Sequence, residues 1–166
     1  MSTYTQILYH IVFSAKGRTR TLTKPNREEM FRHISGLLAN KKCHLYAING
    51  VEDHIHIATH VPPTLAPADL IKDIKLASTD LIKTKRLFPG FMGWQEGYGL
   101  FSAYWPEKDA LIDYVKNQEV HHVKEEFLDE YKRMLNEFGV QYNEKYVPQD
   151  SFELTRPRPL HKHSHN

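Results

Sequence analysis

The chain has 166 residues, 40% apolar and 25% charged, which suits one packed domain and excludes whole-chain disorder. No apolar run approaches a membrane span and the first 30 residues lack a signal peptide's apolar core, so a cytoplasmic protein is expected, while the lone Cys43 excludes internal disulfides and multi-cysteine zinc cages. The net charge of +2 conceals an asymmetry: residues 1–105 carry 13 Lys/Arg against 8 Asp/Glu and residues 106–166 carry 9 against 12, so the front half suits a polyanion such as nucleic acid.

Taken in chain order, Tyr4 to Phe13 is rich in β-branched and aromatic residues and predicts a strand. Ser14 to Arg20 is a basic loop. Arg27 to Lys41 predicts a helix, with Met30, Phe31, Ile34, Leu37 and Leu38 on one face and Asn26 as its N-cap. His44 to Ile48 and His54 to Val61 predict two strands joined by a turn at Asn49-Gly50. After a loop marked by Pro62, Pro63 and Pro67, a second helix is expected from Ala68 to Arg86, its apolar face made by Leu70, Ile71, Ile74, Leu81 and Ile82. Trp94 to Trp105, with Gly97-Tyr98-Gly99 between two aromatic runs, predicts a tight hairpin. Pro106 opens a third helix from Glu107 to about His121. A fourth runs to Phe138, where Gly139 is a natural cap. Residues 1–146 make one domain, and 147–166 are expected to be a flexible tail. The order implies an α+β fold of ferredoxin-like, RRM-like type: a mostly antiparallel sheet with helices on one face, followed by further helices.

His54-Ile55-His56 lies within a predicted strand. Side chains two apart share a face, about 6–7 Å apart along the strand. Both imidazoles can therefore reach one ion while Ile55 and Ile57 enter the core. Two imidazoles suit several divalent metals and leave open positions; a sheet surface that carries two histidines by chance is the alternative. His60 lies too far along the strand to join. Tyr114 and Gln118 are four apart and share a helix face. That pair alone fits an ordinary amphipathic helix as well as a functional one.

Together these features resemble a family. His54-Ile55-His56 is similar to the His-hydrophobic-His signature of HUH nucleases. Tyr114-Val115-Lys116-Asn117-Gln118, followed by His121-His122, resembles the catalytic helix of single-tyrosine HUH transposases of the small insertion-sequence type, the IS200-like transposases. Tyr9-His10-Ile11-Val12-Phe13-Ser14 resembles that family's first strand, and Trp94-Gln95-Glu96-Gly97-Tyr98-Gly99-Leu100-Phe101-Ser102 its late hairpin. The resemblance runs from about Tyr4 to Tyr146. It implies an enzyme that cuts and rejoins single-stranded DNA at hairpin-marked element ends. The tyrosine hydroxyl attacks a backbone phosphorus, takes the 5′ phosphate and frees a 3′ hydroxyl. By the same resemblance Tyr114 is the nucleophile, His54, His56 and Gln118 are the metal ligands, and the metal is Mg²⁺ or Mn²⁺. The resemblance also implies a homodimer, in a family where one subunit's tyrosine helix usually sits against the other's histidine pair; for Tyr114 the sequence leaves both the cis and the trans placement open.

Elementary chemistry agrees with those roles. A phenol of pKa ~10 is almost wholly protonated at neutral pH, and a divalent ion on the phosphate offsets that weakness. Covalent catalysis exchanges one phosphodiester for another, so no ATP is needed, and the chain contains no GxxxxGK[ST] motif. Two histidines and a glutamine form an all-neutral donor set, which is expected to hold metal weakly without DNA. Glu52 and Asp53 read more naturally as surface turn carboxylates than as partners of the histidines. His121 and His122 could assist proton transfer, complete the metal shell or cap the helix. Lys16, Arg18, Arg20, Lys72, Lys75, Lys83, Lys85 and Arg86 are candidate DNA contacts, and Trp94, Tyr98, Phe101 and Trp105 candidate stacking platforms. Other readings of the same residues are a domesticated relative acting on chromosomal repeat hairpins, a non-catalytic single-strand binding module and a metal hydrolase that uses water.

Overall fold

The computed structural model describes residues 2–144; the expected tail 147–166 lies outside them. Four strands form one antiparallel sheet in the order β2-β3-β1-β4, where β1 is Leu8–Ser14, β2 Leu45–Gly50, β3 His54–His60 and β4 Gly99–Ala103. Helix α1 (Asn26–Asn40) joins β1 to β2, and α2 (Pro67–Lys85) joins β3 to β4. This is the expected ferredoxin-like connectivity. Three further helices follow: α3 (Lys108–Lys116), the single turn α4 (Gln118–His121) and α5 (Phe127–Glu137). Among the described residues no helix is long and apolar enough to cross a membrane.

The alternation of β1 and β3 divides the sheet into two chemically different faces. Ile11, Phe13, Ile55 and Ile57 are buried against Met30, Ile34 and Leu38 of α1 and Leu70, Ile71 and Ile74 of α2. The opposite face carries His10, Val12, Ser14, His54 and His56, because Val12 pairs with His56 and Ser14 with His54 across the strands. Helices α3 and α5 cover that second face. Val115 of α3 packs on Ala47 and Ala58, two small residues that let the helix approach the sheet closely. Phe127, Tyr131 and Met134 of α5 pack on Val12 and Phe101.

Several elements differ from their expected form, each for a local reason. Asn26 is the first residue of α1 rather than its cap, and its amide Nδ2 donates to the Leu87 carbonyl at 2.9 Å. Asn49 and Gly50 belong to β2, and the chain reverses instead between Val51 and Asp53, where the Val51 N–H donates to the His54 carbonyl at 3.1 Å. Gly50 is required there because a Cβ would collide with that same carbonyl. The expected Trp94–Trp105 hairpin does not form. Gln95 donates its N–H to the Ser14 carbonyl and accepts the Ser14 N–H on Oε1 at 2.7 Å, so this segment pairs with the end of β1, as β4 does further along. The ammonium of Lys75 holds the intervening bend by donating to the carbonyls of Gln95, Glu96 and Gly97. The expected helix 107–121 is broken at Asn117, whose ψ of 23° ends α3 and starts α4.

Candidate active site and metal centre

Four side chains from three parts of the chain converge over the second face of the sheet. His54 and His56 project from β3 with ring centroids 5.0 Å apart. His122 follows α4, and its ring lies 4.3 Å from that of His54. Glu130 comes from α5 and is completely buried. Its Oε1 lies 2.9 Å from His56 Nε2, 3.2 Å from His122 Nε2 and 3.4 Å from His54 Nε2. One ligand atom from each of the four residues falls within 4.8 Å of the others.

Neighbouring groups fix how each imidazole is presented. His54 Nδ1 lies 2.7 Å from Asp53 Oδ1, and a carboxylate can only accept, so the proton sits on Nδ1 and Nε2 faces the cluster. Asp53 is therefore a buried partner of His54, contrary to the expectation of a surface carboxylate. Phe127 stacks on the same ring at 4.1 Å, with planes 17° apart. His56 Nδ1 meets His10 Nε2 at 2.7 Å, a contact that sequence pattern alone did not suggest.

The electrostatics follow from burial and these contacts. Burial pushes His56 down to about 4, only partly opposed by Glu130, and burial together with His56 holds His10 well below its ordinary value. Burial would also lower His54, but the hydrogen bond to Asp53 and the nearby Glu130 carboxylate prevail and raise it. Burial alone would raise Glu130; the surrounding imidazoles of His122, His54 and His56 override it and keep the group ionised.

Tyr114 of α3 joins this cluster within the same chain. Its hydroxyl donates to Glu130 Oε2 and accepts from Arg133 Nη2 at 2.9 Å. Its ring lies 5.9 Å from that of His56. Burial and the Glu130 charge raise the phenol's pKa, and Arg133 works in the opposite direction. Within the single chain the arrangement is in cis, one of the two placements of the tyrosine helix that the sequence left open.

The donor set fits a divalent cation. Three imidazole nitrogens and one carboxylate oxygen surround one point. His54 Nε2 and Gln118 Oε1 are buried without a hydrogen bond, and both are lone-pair donors. Gln118 is completely buried one turn before His122, with its amide Nε2 given to the Tyr114 carbonyl at 3.1 Å. His122 and Glu130 stand in the convergent group beside the expected histidine pair. Glu130 brings a negative charge to this group, which the neutral donors read from the sequence, two histidines and a glutamine, do not carry.

The candidate DNA contacts are scattered. Lys16, Arg18 and Arg20 follow β1 on the side where Ser14 pairs with His54. Arg18 is buried, at 7% exposure, and Arg20 pairs with Glu126 at 3.1 Å. Lys72, Lys83 and Arg86 are exposed, whereas Lys85 pairs with Glu29 at 2.6 Å and Lys75 is occupied by backbone carbonyls. All five belong to α2 or its end, which covers the face opposite the histidines. Trp94 and Phe101 are core residues, whereas Tyr98 and Trp105 are exposed.

Comparisons with known proteins agree with this fold. The structure resembles that of a Deinococcus radiodurans R1 protein assigned as a transposase, with a TM-score of 0.55 and 18% identity over 71% of this chain and 95% of that one. It equally resembles a REP-associated tyrosine transposase solved bound to a REP hairpin, with a TM-score of 0.55 and 16% identity over 74% of each chain. A search of curated proteins finds no match. The sequence profile described as "Transposase IS200 like" matches residues 3–118, most of the chain, and the protein therefore belongs to the IS200-like transposase family.

Proposed function

We propose that this transposase cuts and rejoins single-stranded DNA through a 5′-phosphotyrosine on Tyr114, with a divalent cation held by His54, His56, His122 and Glu130 and within reach of Gln118. The observation that carries the reading is the shared carboxylate: Glu130 offers one oxygen to three histidines and the other to the Tyr114 hydroxyl.

A bound divalent ion would neutralise charge on the scissile phosphate and weaken the phenol's hold on its proton. The chain's own residues do the rest. As the phenol oxygen forms its bond to phosphorus, Glu130 Oε2 accepts the phenolic proton and Arg133 donates to the oxygen that loses it. The phosphorus–O3′ bond breaks, and the proton on Glu130 is available to the departing 3′ oxygen. Reversal with a different 3′ hydroxyl reseals the DNA, one phosphodiester for another. The neighbour bound to a REP hairpin supports hairpin-bearing DNA as the substrate class. Three imidazoles among the donors favour Mn²⁺ over Mg²⁺, which prefers oxygen ligands. A homodimer fits the family, but the cis geometry asks no tyrosine from a partner.

The test is incubation with single-stranded DNA and Mn²⁺, followed by denaturing electrophoresis. The expected result is a DNA–protein adduct that Tyr114→Phe abolishes while DNA binding persists. Cleavage without an adduct would mark a water-using hydrolase, and binding alone a non-catalytic module; either contradicts the proposal.

A further inference from the structure

Beside the phenol lies a cleft of about 560 Å³ that nothing above uses. It is bounded by the end of β4, by α3 and by α5, with Tyr114 and Arg133 among the residues that line it. Its size falls in the range of roughly 300–1,000 Å³ usual for small-molecule sites and has room for one nucleoside. The inference rests on Tyr114 being the nucleophile. In-line attack brings phosphorus to roughly 3–3.5 Å from the phenol oxygen. The two nucleosides bonded to that phosphorus then lie within one sugar's length of Tyr114, at the mouth of this cleft.

The lining decides which part of a nucleotide enters. Leu111 and Met134 make apolar walls, and Tyr104 and Phe138 offer exposed aromatic surface, at 71% and 47% exposure. These surfaces suit the face of a base. Glu107 and Glu137 also line the cleft, and Arg133 is drawn towards Glu137, with Nη1 3.1 Å from its Oε1. Carboxylates repel a phosphate and accept hydrogen from an exocyclic amine, as in carboxylate recognition of cytosine N4. Thymine has no such amine, and its one N–H, at N3, lies between two carbonyl oxygens that repel a carboxylate. Glu107 stands exposed and is the carboxylate free to turn towards a base.

We infer that this cleft binds one of the two nucleosides flanking the scissile phosphate, and that it selects an amino-bearing base against thymine through Glu107. The experiment uses the whole protein, Mn²⁺ and a random-sequence single-stranded DNA pool, with sequencing of both cleavage products. The expected result is depletion of thymine at one flanking position, relief of that depletion in Glu107→Gln, whose amide can donate to thymine O4, and a loss of adduct of about tenfold or more in Leu111→Trp, which fills the cleft. Thymine frequencies equal to the pool at both flanks, or full adduct yield from Leu111→Trp, would overturn it. If no DNA yields an adduct, the phosphotyrosine reading has failed, and the cleft is judged by NMR titration with dCMP and dTMP. Stronger shifts of Tyr104, Leu111 and Met134 with dCMP support the base pocket; equal shifts or none refute it.

Discussion

His10 Nε2 lies 2.7 Å from His56 Nδ1, and this contact decides which nitrogen of His56 is free. Both rings are buried and held below their ordinary pKa, so both are neutral near pH 7. With a cation in the site, His56 Nε2 offers it a lone pair in place of the proton it gives Glu130 Oε1 at 2.9 Å, and Nδ1 then carries the proton and donates to His10. His10 is in this sense a positioning residue. Replacing it with leucine should weaken Mn²⁺ binding by about 10–100-fold, whereas glutamine, which can accept from Nδ1, should retain most of the affinity. Titration calorimetry on the protein without DNA reads this directly. Unchanged affinity in His10→Leu would show that the contact does not set the tautomer.

Secondary-structure elements, rather than single side chains, bring the site together. Strand β3 was legible because its alternation sends Ile55 and Ile57 to the α1/α2 core and His54 and His56 to the other face. Glu130 was not legible: it stands 74 residues after His56 on an amphipathic helix, where one more acidic residue carries no periodic signal. Asp53 carries no sequence signal because a turn carboxylate is usually solvated, and only the tertiary fold buries it. The hairpin reading failed for a similar reason, since Gln95 finds its partner in Ser14 at the end of β1 rather than in its own neighbourhood. Helix α5 is anchored by Phe127, which is completely buried and stacked on His54. Phe127→Ala should cost about 3–5 kcal/mol of stability. Because α5 carries Glu130 and Arg133, it should also reduce Mn²⁺ affinity, whereas a cavity of similar cost in the other core, such as Ile74→Ala, should not. Denaturant unfolding and calorimetry on the two variants separate these effects; equal metal affinities would contradict the anchoring role.

At the scale of the molecule, the buried site makes stability depend on pH. His56 has a folded pKa of about 4, below its unfolded value of 6.5, so its contribution is present above 6.5 and is lost as pH falls towards 4. That loss amounts to roughly 3 kcal/mol over the window. His10 acts with the same sign, and the depressed Asp53 and Glu130 add to it at lower pH. His54 is raised and acts with the opposite sign. Thermal melts in EDTA should show Tm falling steadily from pH 7 to pH 5; a flat or rising Tm would contradict the assignment of two neutral buried imidazoles. The cis geometry has its own consequence. Mixing Tyr114→Phe with His56→Ala should not restore DNA cleavage, because each chain would lack half of its own site, whereas exchange of the tyrosine helix between subunits would restore it.

The central claim is that the hydroxyl of Tyr114, held by Glu130 and Arg133 beside three histidines, becomes the atom joined to DNA. Proteolysis of the adduct formed with Mn²⁺, followed by mass spectrometry, identifies that atom's residue. The account predicts a 5′-phosphonucleotide on the peptide that contains Tyr114 and on no other. A modification on a different residue, or none in a preparation that cuts DNA, would contradict it.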